Sequence, residues 1–271
     1  MSKNTKAQIE LMKTQGFHFD FGEIFEQTLQ NFKKIALIQG LVLLVILVLF
    51  TVLIGSVAAA AIGFGEITQY FTDINVNGQS TVSLIVQLIV SVIGAGITTA
   101  FTAGLLKMAH LAEEGKEFGF GTAFDYYKSE FFKDLFLVGI YITLLTSGVG
   151  TLAGILMESF GEFKIGFVIF SSIFQVIAGT LTVFAIPLVI FGKLNAADAI
   201  SGSISIATSK FWLILVLLLV FIIMVCLGIF GFCIGIFFTM PLLYSLYYIM
   251  YRNAFGVEDE NEIDQIGIEK Y

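Results

Sequence analysis

The sequence predicts an all-α protein: a polytopic membrane helix bundle with six transmembrane helices, arranged as three repeats of an amphipathic elbow helix plus a transmembrane hairpin. Composition is the first reason, because 57% of the residues are hydrophobic, 13% are charged and the mean hydropathy is +0.93. Soluble proteins are about 45–50% apolar and about 25% charged. Long uncharged runs and an internal repeat are the second and third reasons.

Five uncharged runs contain the predicted spans. A helix needs roughly 20 apolar residues to cross a bilayer, so each of the first four runs holds one span. The last run is 41 residues long and holds two. A tight turn at Gly228–Gly231 is the predicted break between spans five and six. The runs are Ile35–Gly65, Gly78–Leu106, Leu135–Met157, Ile165–Gly192 and Phe211–Tyr251.

The elbows form the internal repeat. The second elbow, Phe118–Phe136, matches the first at an offset of 99 residues, and a looser third copy is Leu194–Trp212. The matching positions of the first two elbows are Phe19 and Phe118, Phe21 and Phe120, Gly22 and Gly121, Phe25 and Phe124, Phe32 and Phe131, and Lys34 and Lys133.

Two tails flank the predicted membrane domain of residues 17–252. Residues 1–16 are polar and are predicted to be a flexible or surface-lying tail. Residues 253–271 are acidic, and a charge run of this kind is either a solvated cytoplasmic tail or a docking peptide. Within the membrane domain, the repeats lie at about 17–117, 118–192 and 193–252.

One face of each elbow is apolar at helical spacing. In the first elbow Asp20 is the predicted N-cap, and Glu23 stands at the capping-box position. Such a helix either lies in the membrane interface or extends the transmembrane helix that follows, and the sequence leaves both open. The predicted polar face of the first elbow is Glu23, Glu26, Gln27, Gln30 and Asn31. The predicted apolar faces are Ile24, Phe25, Thr28, Leu29 and Phe32; Ala123, Phe124, Tyr127, Phe131, Leu135 and Phe136; and Ile200, Ser203, Ile204, Ala207 and Phe211.

The distribution of positive charge predicts the orientation. With six spans, thirteen of the fourteen Lys and Arg residues fall on one side, and only Lys164 falls on the other. Cytoplasmic loops are enriched in Lys and Arg. We therefore expect a protein of the bacterial inner membrane with both termini and all three elbows in the cytoplasm.

Net charge and cysteine content limit the classes of partner that are expected. The net charge of −7 and the isoelectric point near 4.8 argue against a nucleic-acid partner, which requires a basic face. The expected partners are membrane lipids, with other membrane proteins of an envelope complex as a further class. Cys226 and Cys233 are interpreted as small buried apolar residues, and no cofactor is predicted.

A segment of the first outer loop resembles the start of a calcium-binding loop. Asp73, Asn75 and Asn77 stand at the first three ligand positions, and Gly78 follows them. The twelfth position, where a bidentate Glu is expected, is Leu84. A plain Asn-Gly turn explains the same residues, and weak calcium binding is the alternative. No other metal site and no catalytic residue is predicted.

Neutral polar residues take the place of ionisable ones in the predicted span cores. Ion-coupled transporters usually hold ionisable groups at that depth, and none is present in these cores. The neutral groups are interpreted as hydrogen-bond partners between helices, with the lining of a polar substrate path as the alternative. The candidates for such a lining are Gln39, Gln87, Thr98, Thr99 and Gln175.

Small residues spaced by four are predicted to lie at helix contacts, where they let backbones approach closely. Pro187 and Pro241 are expected to kink spans four and six. The small residues are Gly96, Ala100 and Gly104; Gly150 and Gly154; and Gly231 and Gly235.

Three segments resemble a known family: Leu105–Leu135, Asn195–Leu215 and Gly228–Tyr251, the last with the tetrapeptide Thr239-Met240-Pro241-Leu242. Together they are similar to the membrane domain attached to glycerophosphoryl diester phosphodiesterases and to related polytopic bacterial inner-membrane proteins. The resemblance implies a six-helix inner-membrane protein and carries over no catalytic residues.

Three functions follow from these observations. The leading one is a non-enzymatic membrane protein that scaffolds an envelope complex or supports lipid homeostasis. A small transporter or lipid-moving permease is the alternative, and a membrane enzyme is the third. A single polar cavity at membrane depth favours the transporter, whereas a sealed bundle favours the scaffold or lipid-binding protein.

The predicted orientation is testable by cysteine labelling in a background without Cys226 and Cys233. Cysteines at Asn75 and Ser159 should react with an impermeant thiol reagent in intact cells. Cysteines at Lys116 and Lys193 should react only after the membrane is opened. The reverse pattern would contradict the assignment of the positively charged side to the cytoplasm.

Overall fold

The computed structural model describes residues 2–63, 80–159, 163–231 and 234–256, and these residues form helices without a strand. Five segments are long and apolar enough to cross a membrane: Phe21–Val57, Thr81–Glu113, Phe132–Met157, Ile165–Ile190 and Phe211–Phe230. The chain is thus an all-α protein of membrane type. Its helices are α1 (Ser2–Gln15), α2 (Phe21–Ile62), α3 (Thr81–Glu113), a 3-10 helix (Phe120–Lys128), α4 (Phe132–Ser159), α5 (Lys164–Leu181), α6 (Ala185–Ile190), α7 (Ala196–Ser209), α8 (Phe211–Leu227), α9 (Gly235–Thr239) and α10 (Pro241–Phe255).

The first elbow and the first span form one continuous helix, α2. Asp20 caps it, since its Oδ1 accepts a hydrogen bond of 2.9 Å from the backbone N–H of Glu23. The 42 residues of α2 extend about 63 Å at about 1.5 Å per residue, roughly twice the apolar thickness of a bilayer. In this repeat the elbow is therefore an extension of the helix that follows it.

The other two elbows are separated from the helices that follow them. The second is the 3-10 helix, which ends where Ser129 takes an extended conformation (φ −87°, ψ 160°). The third is α7, and Lys210 (φ −128°, ψ 30°) separates it from α8. One sequence pattern thus gives a continuous helix in the first repeat and an interrupted one in the other two.

Burial corrects the predicted face of the third elbow. Ile204 is 38% exposed, whereas Ile206 is 1% exposed. The face differs because α1 covers α7: Gly202 lies against the side chains of Ile9 and Leu188. The buried residues of α7 are Ala196, Ala199, Gly202, Ser203, Ile206 and Ala207.

The N-terminal segment, predicted as a flexible or surface-lying tail, contains α1, which lies on α7. Its apolar residue Ile9 is only 6% exposed. Thr5 Oγ1 donates a 3.0 Å hydrogen bond to the carbonyl oxygen of Gly192. Lys6 Nζ lies 2.5 Å from Asp198 Oδ2. These contacts attach α1 to the rest of the bundle.

A buried polar cluster (Thr28, Asn31 and Ser245) joins α2 to α10, and Asn31 links it to α3. Asn31 is fully buried, so its assignment to the water-facing side of the first elbow was wrong. Its Nδ2 donates hydrogen bonds to the carbonyl oxygen of Ala109 (2.8 Å) and to Glu113 Oε2 (3.1 Å). Ser245 Oγ lies 2.9 Å from both Asn31 Oδ1 and the carbonyl oxygen of Thr28. The face is covered because α3 and α10 supply partners from distant parts of the chain.

Charged side chains surround this cluster. Glu113 pairs with Arg252 of α10 and lies 3.7 Å from Lys34. Gln27 Oε1 accepts hydrogen bonds from Arg252 Nη2 (2.8 Å) and from Asn253 Nδ2 (2.7 Å). We call this the charged end of the bundle, and it holds the start of α2 and the ends of α3 and α10.

Other helix ends meet at the same charged end. Asp134, at the start of α4, accepts a 2.9 Å hydrogen bond from the backbone N–H of Ala196 at the start of α7. Lys210 Nζ, just before α8, lies 5.8 Å from the ring centroid of Phe17. Successive long helices therefore run in opposite directions, as hairpins do.

Both prolines interrupt helices, as predicted. Pro187 has no N–H for the carbonyl of Val183, and residues 182–184 separate α5 from α6. Pro241 is the first residue of α10, and Met240 separates it from α9. The described residues therefore contain five candidate spans, because α9 and α10 are each too short to cross a membrane alone.

Small residues bring α3 against its neighbours. Gly104 lies directly on the backbone of Ala123, so that no space remains for a β-carbon. Gly96 faces the ring of Phe136 in α4, and Ala100 is fully buried. These contacts agree with the predicted role of the small residues in close packing.

The other small residues lie at two further contacts. Gly154 of α4 faces Leu84 of α3, and Gly150 lies against α5. Gly231 and Gly235 approach each other within the turn between α8 and α9. This turn begins with a short 3-10 segment at Gly228–Phe230, where the break between spans five and six was predicted.

We predict that Gly104→Ala will destabilise the bundle and that Gly94→Ala will not. A β-carbon at position 104 must displace the 3-10 helix, and overpacking typically costs about 1–3 kcal/mol. Gly94 lies in the same helix with no neighbouring atom within 4 Å of its place for a β-carbon. Thermal unfolding in detergent should show a lower midpoint only for Gly104→Ala. Equal midpoints would contradict the close packing of α3 on the 3-10 helix.

Candidate functional site

The five side chains predicted to line a polar path do not surround one common space. Gln39 is buried between α2 and α3, where its Nε2 donates a 2.7 Å hydrogen bond to the carbonyl oxygen of Leu105. Thr99 is buried towards α4 and donates a 2.7 Å hydrogen bond within its own helix, to the carbonyl oxygen of Ala95. The remaining three are exposed on α3 and α5: Gln87, Thr98 and Gln175.

The loop that resembles a calcium site, with Asp73, Asn75 and Asn77, lies outside the described residues. Within the described part of the chain, no group of three or more His, Cys, Asp or Glu side chains is arranged to hold a metal ion.

A cavity of about 460 Å³ opens at the charged end, and we call it the end cavity. Its walls come from α1, the end of α3, the 3-10 helix and the residues after it, the loop after α6, and the end of α10. Its ionisable lining residues are Lys107, His110, Glu114, Lys116, Tyr126, Glu130, Lys193 and Tyr251. The volume lies within the range of small-molecule sites, about 300–1,000 Å³.

Ion pairs organise one side of the end cavity. Lys107 Nζ lies 2.8 Å from Asp125 Oδ2, and Lys116 Nζ lies 2.8 Å from Glu114 Oε2. His110 connects this side to the helix core, since its Nε2 lies 3.4 Å from Glu114 Oε1 and its Nδ1 lies 3.2 Å from the hydroxyl of the buried Tyr248. The charges at the cavity wall are therefore held in defined places.

The backbone of Lys193 has an unusual conformation. Its φ of +52° makes it the only non-glycine residue with positive φ among the described residues. Such a backbone favours glycine, and another residue there typically costs about 1–2 kcal/mol. Leu194 fixes the loop through a 3.1 Å hydrogen bond from its N–H to the carbonyl oxygen of Leu188. Lys193 therefore lies at the cavity although its backbone conformation is unfavourable for lysine.

The 3-10 helix has two different sides. Tyr126 lines the end cavity, as do the residues that follow the helix. The other side begins a row of rings that continues into α4, and the successive ring centroids lie 5.6–6.1 Å apart. We call it the aromatic row: Phe120, Phe124, Tyr127, Phe132 and Phe136.

The aromatic row is partly exposed and is attached to α3. Phe120 is 45% exposed, and the ring of Phe124 packs on Phe101 at 5.6 Å. Tyr127 donates a 3.1 Å hydrogen bond from its hydroxyl to the carbonyl oxygen of Ile97. Burial raises the pKa of the Tyr127 hydroxyl above its usual value. Rings with a polar tip of this kind are typical of membrane interfaces.

α1 closes another side of the end cavity through Thr5 and Gln8. The hydrogen bond from Lys6 holds the pKa of Asp198 below its usual range. A carboxyl group with a lowered pKa in the folded state stabilises that state above the usual aspartate pKa. This contribution is lost as the pH falls through the lowered pKa, so α1 is attached most firmly at neutral pH.

The sequence did not predict the end cavity. From the sequence, Lys107, Lys116 and Lys193 indicated only the orientation in the membrane. No role was predicted for His110 and Glu114. These residues lie up to 86 positions apart, and no local pattern shows that they meet. The positive φ of Lys193 has no counterpart in the sequence pattern either.

Comparison of the chain with protein-family models, curated proteins and solved structures gives no match.

We predict that Ile9→Asp will detach α1 and that Leu11→Asp will not. Burial of an aliphatic side chain is worth about 1.5–3 kcal/mol, and Ile9 is 6% exposed whereas Leu11 is 52% exposed. Trypsin should therefore cleave α1 at least about tenfold faster in Ile9→Asp than in the native chain. Equal cleavage rates for the two variants would contradict the docking of α1.

Proposed function

We propose that the chain is a six-span protein of the bacterial inner membrane that binds membrane lipid without catalysing a reaction. It would serve as an accessory or scaffold component of lipid homeostasis, with both termini in the cytoplasm. The sixth span is made by α9 and α10 together, which lead from the turn at Gly228–Phe230 back to the charged end. The resemblance to the membrane domain attached to glycerophosphoryl diester phosphodiesterases stays a prediction, and the proposal does not depend on it.

The separation of the membrane-depth polar groups is the observation that carries this proposal. A transporter of polar solutes requires such groups around one path, but Gln87, Thr98 and Gln175 are exposed while Gln39 and Thr99 are buried at different contacts. A cavity with a polar lining lies instead at the charged end. This arrangement favours binding at the membrane surface over passage through the bundle.

The outer surface of the bundle supports contact with lipid. On α2, Leu47, Val48, Leu49 and Phe50 are each about half exposed, so every side of the helix there is open. In lipid such a surface is favourable, because the tails are as apolar as the side chains. In the proposed membrane-bound protein, acyl chains therefore surround this part of α2.

A lipid-moving permease is the alternative, and two observations favour it. Gln39 Oε1 is buried without a hydrogen-bond partner among the described residues, and burial of such a group typically costs about 1–3 kcal/mol. The helices at Pro187 and Pro241 are also interrupted, as helices of transporters often are. A pair of helices that moves during transport would involve both the unpaired Gln39 oxygen and the interrupted helices. The described residues offer nothing comparable in favour of an enzyme.

Reconstitution tests the proposal. The purified chain should retain phospholipid through detergent exchange, detected by native mass spectrometry. In liposomes with an imposed pH gradient it should take up no solute, and it should hydrolyse no phosphodiester or ester substrate. Loss of all lipid would contradict the proposal. Gradient-dependent uptake, or turnover that disappears on changing one named side chain, would contradict it as well.

A further inference from the structure

The end cavity presents charges of both signs to a ligand. Lys107, Lys116 and Lys193 lie in its wall together with Glu114 and Glu130. A simple anion meets repulsion from the glutamates, and a simple cation meets repulsion from the lysines. A ligand that carries both charges is complementary to both sets, and complementarity of this kind selects among ligands.

The rest of the lining suits the two halves of such a ligand. Lysine ammonium groups are common binders of phosphate oxygens. The rings in the wall suit a ligand ammonium group, because a cation within about 6 Å of an aromatic ring is attracted to its face. Lys107 Nζ already lies 6.0 Å from the ring centroid of Tyr126. The aromatic lining residues are Tyr126, Phe131, Phe191, Tyr251 and Phe255.

The position of the cavity indicates where the ligand comes from. The 3-10 helix separates the cavity from the aromatic row, so the two lie side by side at the charged end. Rings of this type lie at the level of lipid headgroups. The cavity is therefore next to the layer that contains phosphate and ammonium groups at high concentration.

The backbone of Lys193 supports a binding role for this side chain. Asn or Gly accepts a φ of +52° more readily than Lys does. Strain of this kind concentrates at ligand-binding sites. The strained backbone is thus a further observation in favour of ligand binding at Lys193.

We propose that the end cavity binds the zwitterionic headgroup of a phospholipid, in which a phosphate diester is joined to a primary ammonium group. Lys107, Lys116 and Lys193 hold the phosphate, while Glu130 and the rings of the wall hold the ammonium group. This assignment rests on the proposed lipid-binding function and specifies its site. The same chemistry occurs in soluble glycerophosphoethanolamine, so the test separates the two sources.

The test uses the full chain in nanodiscs and in detergent. The probes are phosphatidylethanolamine, phosphatidylglycerol, soluble glycerophosphoethanolamine and inorganic phosphate. Lys193→Asn removes the charge with a residue that tolerates the backbone conformation, and Glu130→Gln removes the expected ammonium partner. Lys128→Asn and Glu117→Gln are the matched controls, since both residues are exposed outside the cavity lining.

We expect the native chain to retain phosphatidylethanolamine about tenfold more strongly than phosphatidylglycerol, as one hydrogen bond to a charged group is worth at least roughly that factor. Lys193→Asn should weaken retention of both lipids about tenfold. Glu130→Gln should abolish the preference between them, and the two control variants should match the native chain. Neither soluble probe should displace the lipid at millimolar concentration.

Different failures have different meanings. If the native chain retains lipid but the cavity variants behave like the controls, the assignment of the cavity is wrong and the proposed function stands. If the native chain retains no lipid, both proposals are wrong. Displacement of the lipid by glycerophosphoethanolamine would show that the ligand comes from solution and not from the membrane. Phosphate binding that depends on Lys193 but not on Glu130 would show that the ligand is a simple anion and not a zwitterion.

Discussion

The hydrogen bonds of Asn31 are the interaction on which the charged end depends. Its amide group reaches α3 through Ala109 and Glu113, and it reaches α10 through Ser245. A buried amide with all its partners stabilises a structure, whereas one without partners is costly. The first, second and last long elements of the chain are thus held in one relative position. That position brings Arg252 to Glu113 and the end of α10 to the wall of the end cavity.

The charged end and the membrane-depth part of the bundle are built on different physical principles. At the charged end, polar groups and ion pairs hold the helix termini together, as the pair of Lys107 with Asp125 does for α3 and the 3-10 helix. Deeper in the membrane the helices pack through small residues, such as Gly96 against Phe136. Lipid gives no hydrophobic drive for helix association, so close packing and specific hydrogen bonds determine where helices meet.

The three elbows show how one sequence pattern leads to different structures. The first copy continues into its span as α2, while Ser129 and Lys210 separate the second and third copies from theirs. The difference follows from what each elbow packs against. Gly104 lets the second elbow lie on α3, and α1 covers the third. The first elbow is instead attached to α3 and α10 by the hydrogen bonds of Asn31.

The sequence by itself determined the all-α membrane class, the positions of the long apolar helices, the interruptions at Pro187 and Pro241, and the turn that begins at Gly228. These depend on composition, hydropathy and backbone chemistry, which act over a few residues. Only the tertiary structure decided that Asn31 is buried, that Ile206 rather than Ile204 faces the core, and that Lys107, Lys116 and Lys193 surround one cavity. The reason is distance along the chain, since Ser245 meets Asn31 across 214 residues. Periodicity shows that a helix has two faces, but the partner that covers a face is chosen by contacts that no local pattern contains.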